Sequence, residues 1–114
     1  MRVGIIGGGG ISDTHARAVQ AIDGLTIGAV YGANAARAAA LAADVGATAY
    51  DDLERFLTHP LDMVIIGSPS ALHADQGIAA ARRGLHLLIE KPIDVTTAKV
   101  DALLEAAATA GVKV

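Results

Sequence analysis

Short apolar runs alternate with amphipathic stripes along this chain. Val3-Gly4-Ile5-Ile6, Leu25 to Tyr31, Met63 to Ile66 and Leu87 to Ile89 are nearly continuous apolar runs. Strands covered on both faces read this way, whereas a half-solvated strand alternates apolar with polar. Ala47-Thr48-Ala49-Tyr50 is a weaker strand candidate. Between the runs the spacing turns helical. Ala38, Leu41, Ala42 and Val45 fall at i, i+3, i+4, i+7, and so do Val100, Leu103, Leu104 and Ala107. Leu53, Phe56 and Leu57 predict a helix of about two turns, and Leu72 to Arg83 a longer one. Gly46, Gly84 and Gly111 stand where helices end on a left-handed residue. Ser70, and Thr96 or Thr97, are the expected N-caps of the last two helices.

Strand and helix alternating with short loops imply right-handed crossovers. The expected fold is α/β, a doubly wound, mostly parallel sheet of five to six strands with helices on both faces. Gly111 to Val114 reads as the start of one more strand. The 114 residues suit one domain, 1–114, with no room for a separate substrate lobe.

Composition narrows the function classes. Hydrophobic residues make up 53% and charged residues 18%, which excludes disorder. No apolar stretch approaches the roughly 18 residues of a membrane span. Met1-Arg2 and the apolar residues after it open like a weak signal peptide, but four glycines and Asp13 interrupt it without a cleavage pattern. A soluble, cytoplasmic domain is expected. Cysteine is absent, so disulfide scaffolds, thiolate metal sites and thiol nucleophiles drop out. Net charge −3 with 3% aromatics argues against a nucleic-acid surface. The four histidines share no metal-ligand spacing, so no metal site is expected.

The strongest chemical signal is the glycine turn after the first strand. Read as G-x-G-x-x-S it uses Gly7, Gly9 and Ser12. Gly7 permits the tight turn, Gly9 lets a pyrophosphate approach the backbone, and the small Ser12 allows close helix–strand contact. Free N–H groups at the helix start, around Gly10 and Ile11, would face the phosphate. The register Gly8, Gly10, Asp13 would place a carboxylate at the packing position and is rejected. A carboxylate usually ends strand two where NAD is bound, yet this strand ends Val30-Tyr31-Gly32-Ala33-Asn34. Arg37 either reaches a 2′-phosphate there or lies on a solvated helix face. The cofactor is therefore NAD or NADP, with a lean to NADP.

Ligands in open parallel sheets bind beyond the carboxyl ends of strands. Gly67-Ser68-Pro69-Ser70-Ala71-Leu72-His73 and Glu90-Lys91-Pro92 reach that edge. A lysine directly after a buried strand either works on a substrate oxygen or pairs with Glu90.

In these segments the chain resembles the N-terminal domain of the Gfo/Idh/MocA oxidoreductases. GIIGGGGISDTHARAV, AVYGANAARAAALAADVGA and DMVIIGSPSALHADQGIAAARRGLHLLIEKP carry the likeness, followed by the helix ending in AGVKV. The resemblance implies that the glycine turn binds NAD or NADP and that Ser68, Pro69 and Ser70 line the cofactor cleft. It implies that Lys91 contacts substrate and nicotinamide ribose, positioned by Glu90 and Pro92. Members typically oxidise a sugar, cyclitol or related secondary alcohol. Ser68 and Ser70 stand where threonine and asparagine are commoner, and Gly32 where an NAD-type acid is common. The family's second domain, which completes the catalytic site, is outside this chain.

His15 and His73 match family positions. His15 serves helix packing or ligand contact; His73 shapes the cleft or satisfies a buried hydrogen bond. His59 is expected to face solvent and His86 to be structural. Asp51, Asp52 and Glu54, like Arg82 and Arg83, complement helix dipoles. The expected partners are a dinucleotide and, in a full-length enzyme, a sugar-like substrate. A rival reading is a stand-alone nucleotide-sensing module without chemistry. A subunit completed by another chain, or a homo-oligomer, would show an exposed apolar patch.

Overall fold

A computed structural model describes all residues 1–114. The elements run β1 (Arg2–Ile6), α1 (Gly10–Gln20), β2 (Thr26–Tyr31), α2 (Ala35–Val45), β3 (Thr48–Tyr50), α3 (Leu53–Phe56), β4 (Met63–Ile66), α4 (His73–Arg82), β5 (His86–Ile89) and α5 (Thr97–Ala110). The five strands form one sheet in the order β3-β2-β1-β4-β5. Every pairing is parallel, with Ile5 opposite Val30 on one side and Ile65 on the other. The strand order reverses between β1 and β4, and this opens a crevice at their carboxyl ends.

Alternation along each strand divides the core in two. Val3 and Ile5 of β1 pack with Val30, Ile65 and the inner faces of α1 and α2 (Ala16, Val19, Ala38, Leu41). Ile6 points the other way, into a cluster with Val64 and Ile66 of β4 and with Phe56, Ala74, Ala80 and Leu103 of α3, α4 and α5. Gly4 shares that second face because nothing larger fits: a Cβ there would lie 2.7 Å from the Phe56 ring and 2.6 Å from Leu61. Burial on both faces is why the strands read as continuous apolar runs.

Several local expectations change. The helix at Leu53 is a single turn of four residues, capped by Asp52 accepting from Arg55 N–H at 2.8 Å. Ser70 is not an N-cap; it opens a 3₁₀ turn, Ser70–Leu72, ahead of α4. The Ala74 N–H in the first turn of α4 instead donates to Asp94 Oδ2 at 2.9 Å, a carboxylate twenty residues on. Thr96 caps α5, accepting from Lys99 N–H at 3.3 Å. Leu104 is half-exposed, while Leu103 alone of that pair enters the core. Gly111 to Val114 adds no sixth strand, although Leu87 N–H donates to Lys113 O at 2.9 Å on the β5 edge. His59 is half-buried with Nδ1 2.9 Å from the Tyr50 hydroxyl, because it packs over Gly28 on β2. No helix is long and apolar enough to cross a membrane.

Candidate dinucleotide-binding site

The β1–α1 turn meets the strand-order reversal. Gly7 N–H donates to Tyr31 O at 2.7 Å, which anchors the turn to β2. Gly7 has φ +130°, a region open essentially to glycine. A Cβ there would also lie 2.5 Å from Ser12 Oγ and 2.9 Å from the Gly67 carbonyl. Ser12 is 1% exposed, its hydroxyl has no partner, and its small side chain fits between Gly7 and Gly67, just past the ends of β1 and β4. Asp13 sits one residue further round, turned outward to Arg17 at 3.0 Å.

Gly9 differs in kind from Gly7. It is the N-cap of α1 with φ −88°, ordinary for any residue, and a Cβ on it would meet nothing within 4 Å. Gly10 likewise has open space where a Cβ would stand. Ser12 and Asp13 N–H groups donate to Gly9 O at 3.1 and 3.2 Å, but those of Gly8, Gly9, Gly10 and Ile11 find no protein acceptor. Neither packing nor backbone conformation demands glycine at 9 and 10. What the two glycines preserve is bare space over four free N–H groups at the positive end of an eleven-residue helix. A diphosphate fits that donor set, since its oxygens are acceptors and its charge suits the dipole.

A cleft of about 230 Å³ runs from this turn across the β2 and β4 ends. It gathers Gly7, Gly9, Gly32, Arg37, Ser68 and Pro69 from the expected site, and adds Tyr31, Asn34, Leu72 and Gln76. Gln76 is 7% exposed and accepts a short hydrogen bond from the Ser68 hydroxyl. Its signal in the sequence was a polar residue on the inner face of α4, one turn after His73. Asn34 caps α2, accepting from Arg37 N–H at 3.1 Å. No carboxylate lines the cleft, and Arg37 is exposed and forms no ion pair.

Ser70, His73, Glu90 and Lys91 stand outside the cleft lining. Glu90 N–H donates to Ile66 O at 2.9 Å, which sets the end of β5 beside the β4 loop. The Glu90 carboxylate turns to α1, with Oε1 2.8 Å from His15 Nε2. This hydrogen bond, and a lesser one of 3.2 Å from Lys91 N–H, hold the Glu90 carboxyl below its ordinary pKa. The Lys91 side chain is therefore exposed without a carboxylate partner; the alternative of a Lys91–Glu90 side-chain pair is not formed. His73 is buried, with Nδ1 2.9 Å from Pro92 O and Nε2 2.7 Å from Ser68 O. His86 Nδ1 accepts from Lys113 N–H at 3.1 Å.

A parallel sheet of this order, with a glycine turn and a free helix N-terminus at its reversal, defines a Rossmann domain that binds NAD or NADP. The model of the oxidoreductase family with an NAD-binding Rossmann fold matches residues 1–114, and the chain belongs to this Gfo/Idh/MocA family. UDP-N-acetylglucosamine 3-dehydrogenase of Acidithiobacillus ferrooxidans is 36% identical over 104 residues, covering 91% of this chain and 32% of that protein. A D-xylose 1-dehydrogenase (NADP(+)) of Haloferax volcanii is 40% identical over 115 residues, covering 98% of this chain and 35% of its own length. The WlbA dehydrogenase of Bordetella pertussis, solved with NADH and UDP-GlcNAcA, superposes with a TM-score of 0.93 at 30% identity, covering 98% of this chain and 33% of that one. The chain thus spans about a third of the length of these relatives.

Proposed function

We propose that this chain is the cofactor-binding part of an oxidoreductase that moves hydride between a nicotinamide and a sugar-like or cyclitol secondary alcohol. The row of free N–H groups from Gly8 to Ile11, left uncovered by Gly9, carries the reading. These groups bind the diphosphate. Gly32 and Arg37 border the adenosine ribose, while Ser68 and Pro69 border the dinucleotide at the end of β4. With no carboxylate at the end of β2 and an unpaired Arg37 nearby, the site favours NADP over NAD. The nicotinamide, when bound, supplies the hydride acceptor or donor. Lys91, whose ammonium has no carboxylate partner, stabilises charge on the substrate oxygen or exchanges its proton.

The isolated chain should bind cofactor weakly and turn over little, because its relatives are about three times longer. Titration followed by NAD(P)H fluorescence tests this directly. A saturable signal, tighter for NADPH than for NADH, is expected. No saturation with either dinucleotide at millimolar concentration would overturn the proposal.

A further inference from the structure

The two residues that flank Lys91 are each held by a histidine from a different helix. Before it, Glu90 Oε1 lies 2.8 Å from Nε2 of His15 on α1. After it, Pro92 O lies 2.9 Å from Nδ1 of His73 at the start of α4. The other nitrogen of His73 is 2.7 Å from Ser68 O, at the edge of the cofactor cleft.

Every one of these partners is an acceptor. A carbonyl oxygen has no proton to give, so a neutral imidazole, with one N–H, serves only one of the two carbonyls around His73. It turns a lone pair on the other, and at 1% exposure no water can step in. Only the imidazolium donates to both. His15 needs its proton on Nε2, and its bond to a carboxylate is strongest when the ring is charged.

We propose that His15 and His73 are positioning residues that hold Lys91 beside the β4 loop in a proton-dependent clamp. This rests on the role given to Lys91 above. His73 faces Asp94, a buried carboxylate, and beyond it Lys99, which lies 3.9 Å from Asp75. His15 faces Glu90 and, beyond that, Lys91. The clamp is tight at low pH and loosens as pH rises.

The test uses the ¹⁵N-labelled 114-residue chain, followed by NMR between about pH 5.5 and pH 8, the range in which histidine changes charge, with an NADH titration at each end. The wild type is compared with His15→Ala and His15→Gln. The amides of Ser68, Lys91 and Ile93 should shift together with the His73 ring, and NADH affinity should fall as pH rises. His15→Ala should increase the mobility of the Glu90 and Lys91 amides and weaken NADH about fivefold. His15→Gln, which keeps a side-chain N–H donor, should restore affinity to within about twofold. Unchanged Lys91 amide and NADH affinity in His15→Ala, or pH-independent signals at Ser68 and Ile93, would overturn the clamp. If the amides respond as expected but the wild type binds no dinucleotide, the clamp stands and the cofactor reading falls instead.

Discussion

Gly9→Ala separates ligand binding from folding more cleanly than any other substitution in the turn. The added methyl meets no protein atom within 4 Å, and φ −88° suits alanine. Loss of glycine at an N-cap costs about 0.5–1 kcal/mol. The smaller conformational freedom of the unfolded chain returns about 0.4–1 kcal/mol. The two nearly cancel, so the melting temperature should move by no more than about 4 °C. The methyl, however, occupies the open space of a turn whose N–H groups from Gly8 to Ile11 are free, the space a diphosphate would need. Each hydrogen bond to a charged phosphate that it blocks is worth about 1.5–3 kcal/mol, or roughly a 10- to 150-fold loss of affinity. Gly7→Ala provides the contrast. It forces a non-glycine residue to φ +130° and a contact of 2.5 Å with Ser12, so the fold itself should lose about 3 kcal/mol or more. Circular dichroism melts paired with NAD(P)H titrations read both effects. A Gly9→Ala protein that melts like wild type and binds dinucleotide within about threefold of it would refute the reasoning.

Arg37→Ala should weaken NADPH about tenfold while leaving NADH nearly unchanged, and equal losses for both would remove Arg37 from the 2′-phosphate. Phe56→Ala empties a fully buried position against Tyr31, Tyr50 and Gly4 and should cost about 3–5 kcal/mol, measurable by urea unfolding. Asp62 accepts from the backbone and side chain of Arg2, and the Arg2 hydrogen bonds lower its pKa from 3.8 to about 2. A folded value below the unfolded one means stability present above pH 3.8 and lost as pH falls toward 2, so Asp62→Asn should flatten that limb of a melting-temperature profile. An unchanged acid limb would show that the exposed pair contributes nothing measurable.

Much of the architecture was legible because it is local. Periodicity along Ala38 to Val45, glycines at 46 and 111, and Thr96 before α5 each act over a few residues, and each acts the same way in the folded chain. The glycine turn was legible for a like reason, since Gly7, Gly9 and Ser12 do their work within one turn of a strand and a helix. What lay beyond reach were choices of partner across the sheet. Ser70 looked like a cap, but Asp94 arrives from twenty residues away to take the Ala74 N–H. Glu90 stands next to Lys91 in sequence, yet its carboxylate goes to His15, seventy-five residues distant. His59 was expected to face solvent from its loop, but Gly28 gives the ring a surface to rest on. A pattern of apolar positions states which face of an element is buried, and so orders the strands and helices. It is silent on which polar groups meet at the strand ends, because those meetings depend on how separate helices settle on the sheet. The Rossmann frame and its phosphate-binding turn were thus written in short-range spacing. Only the docking of α1 and α4 on the sheet draws Glu90 and Pro92 to their histidines and leaves Lys91 without a counter-ion.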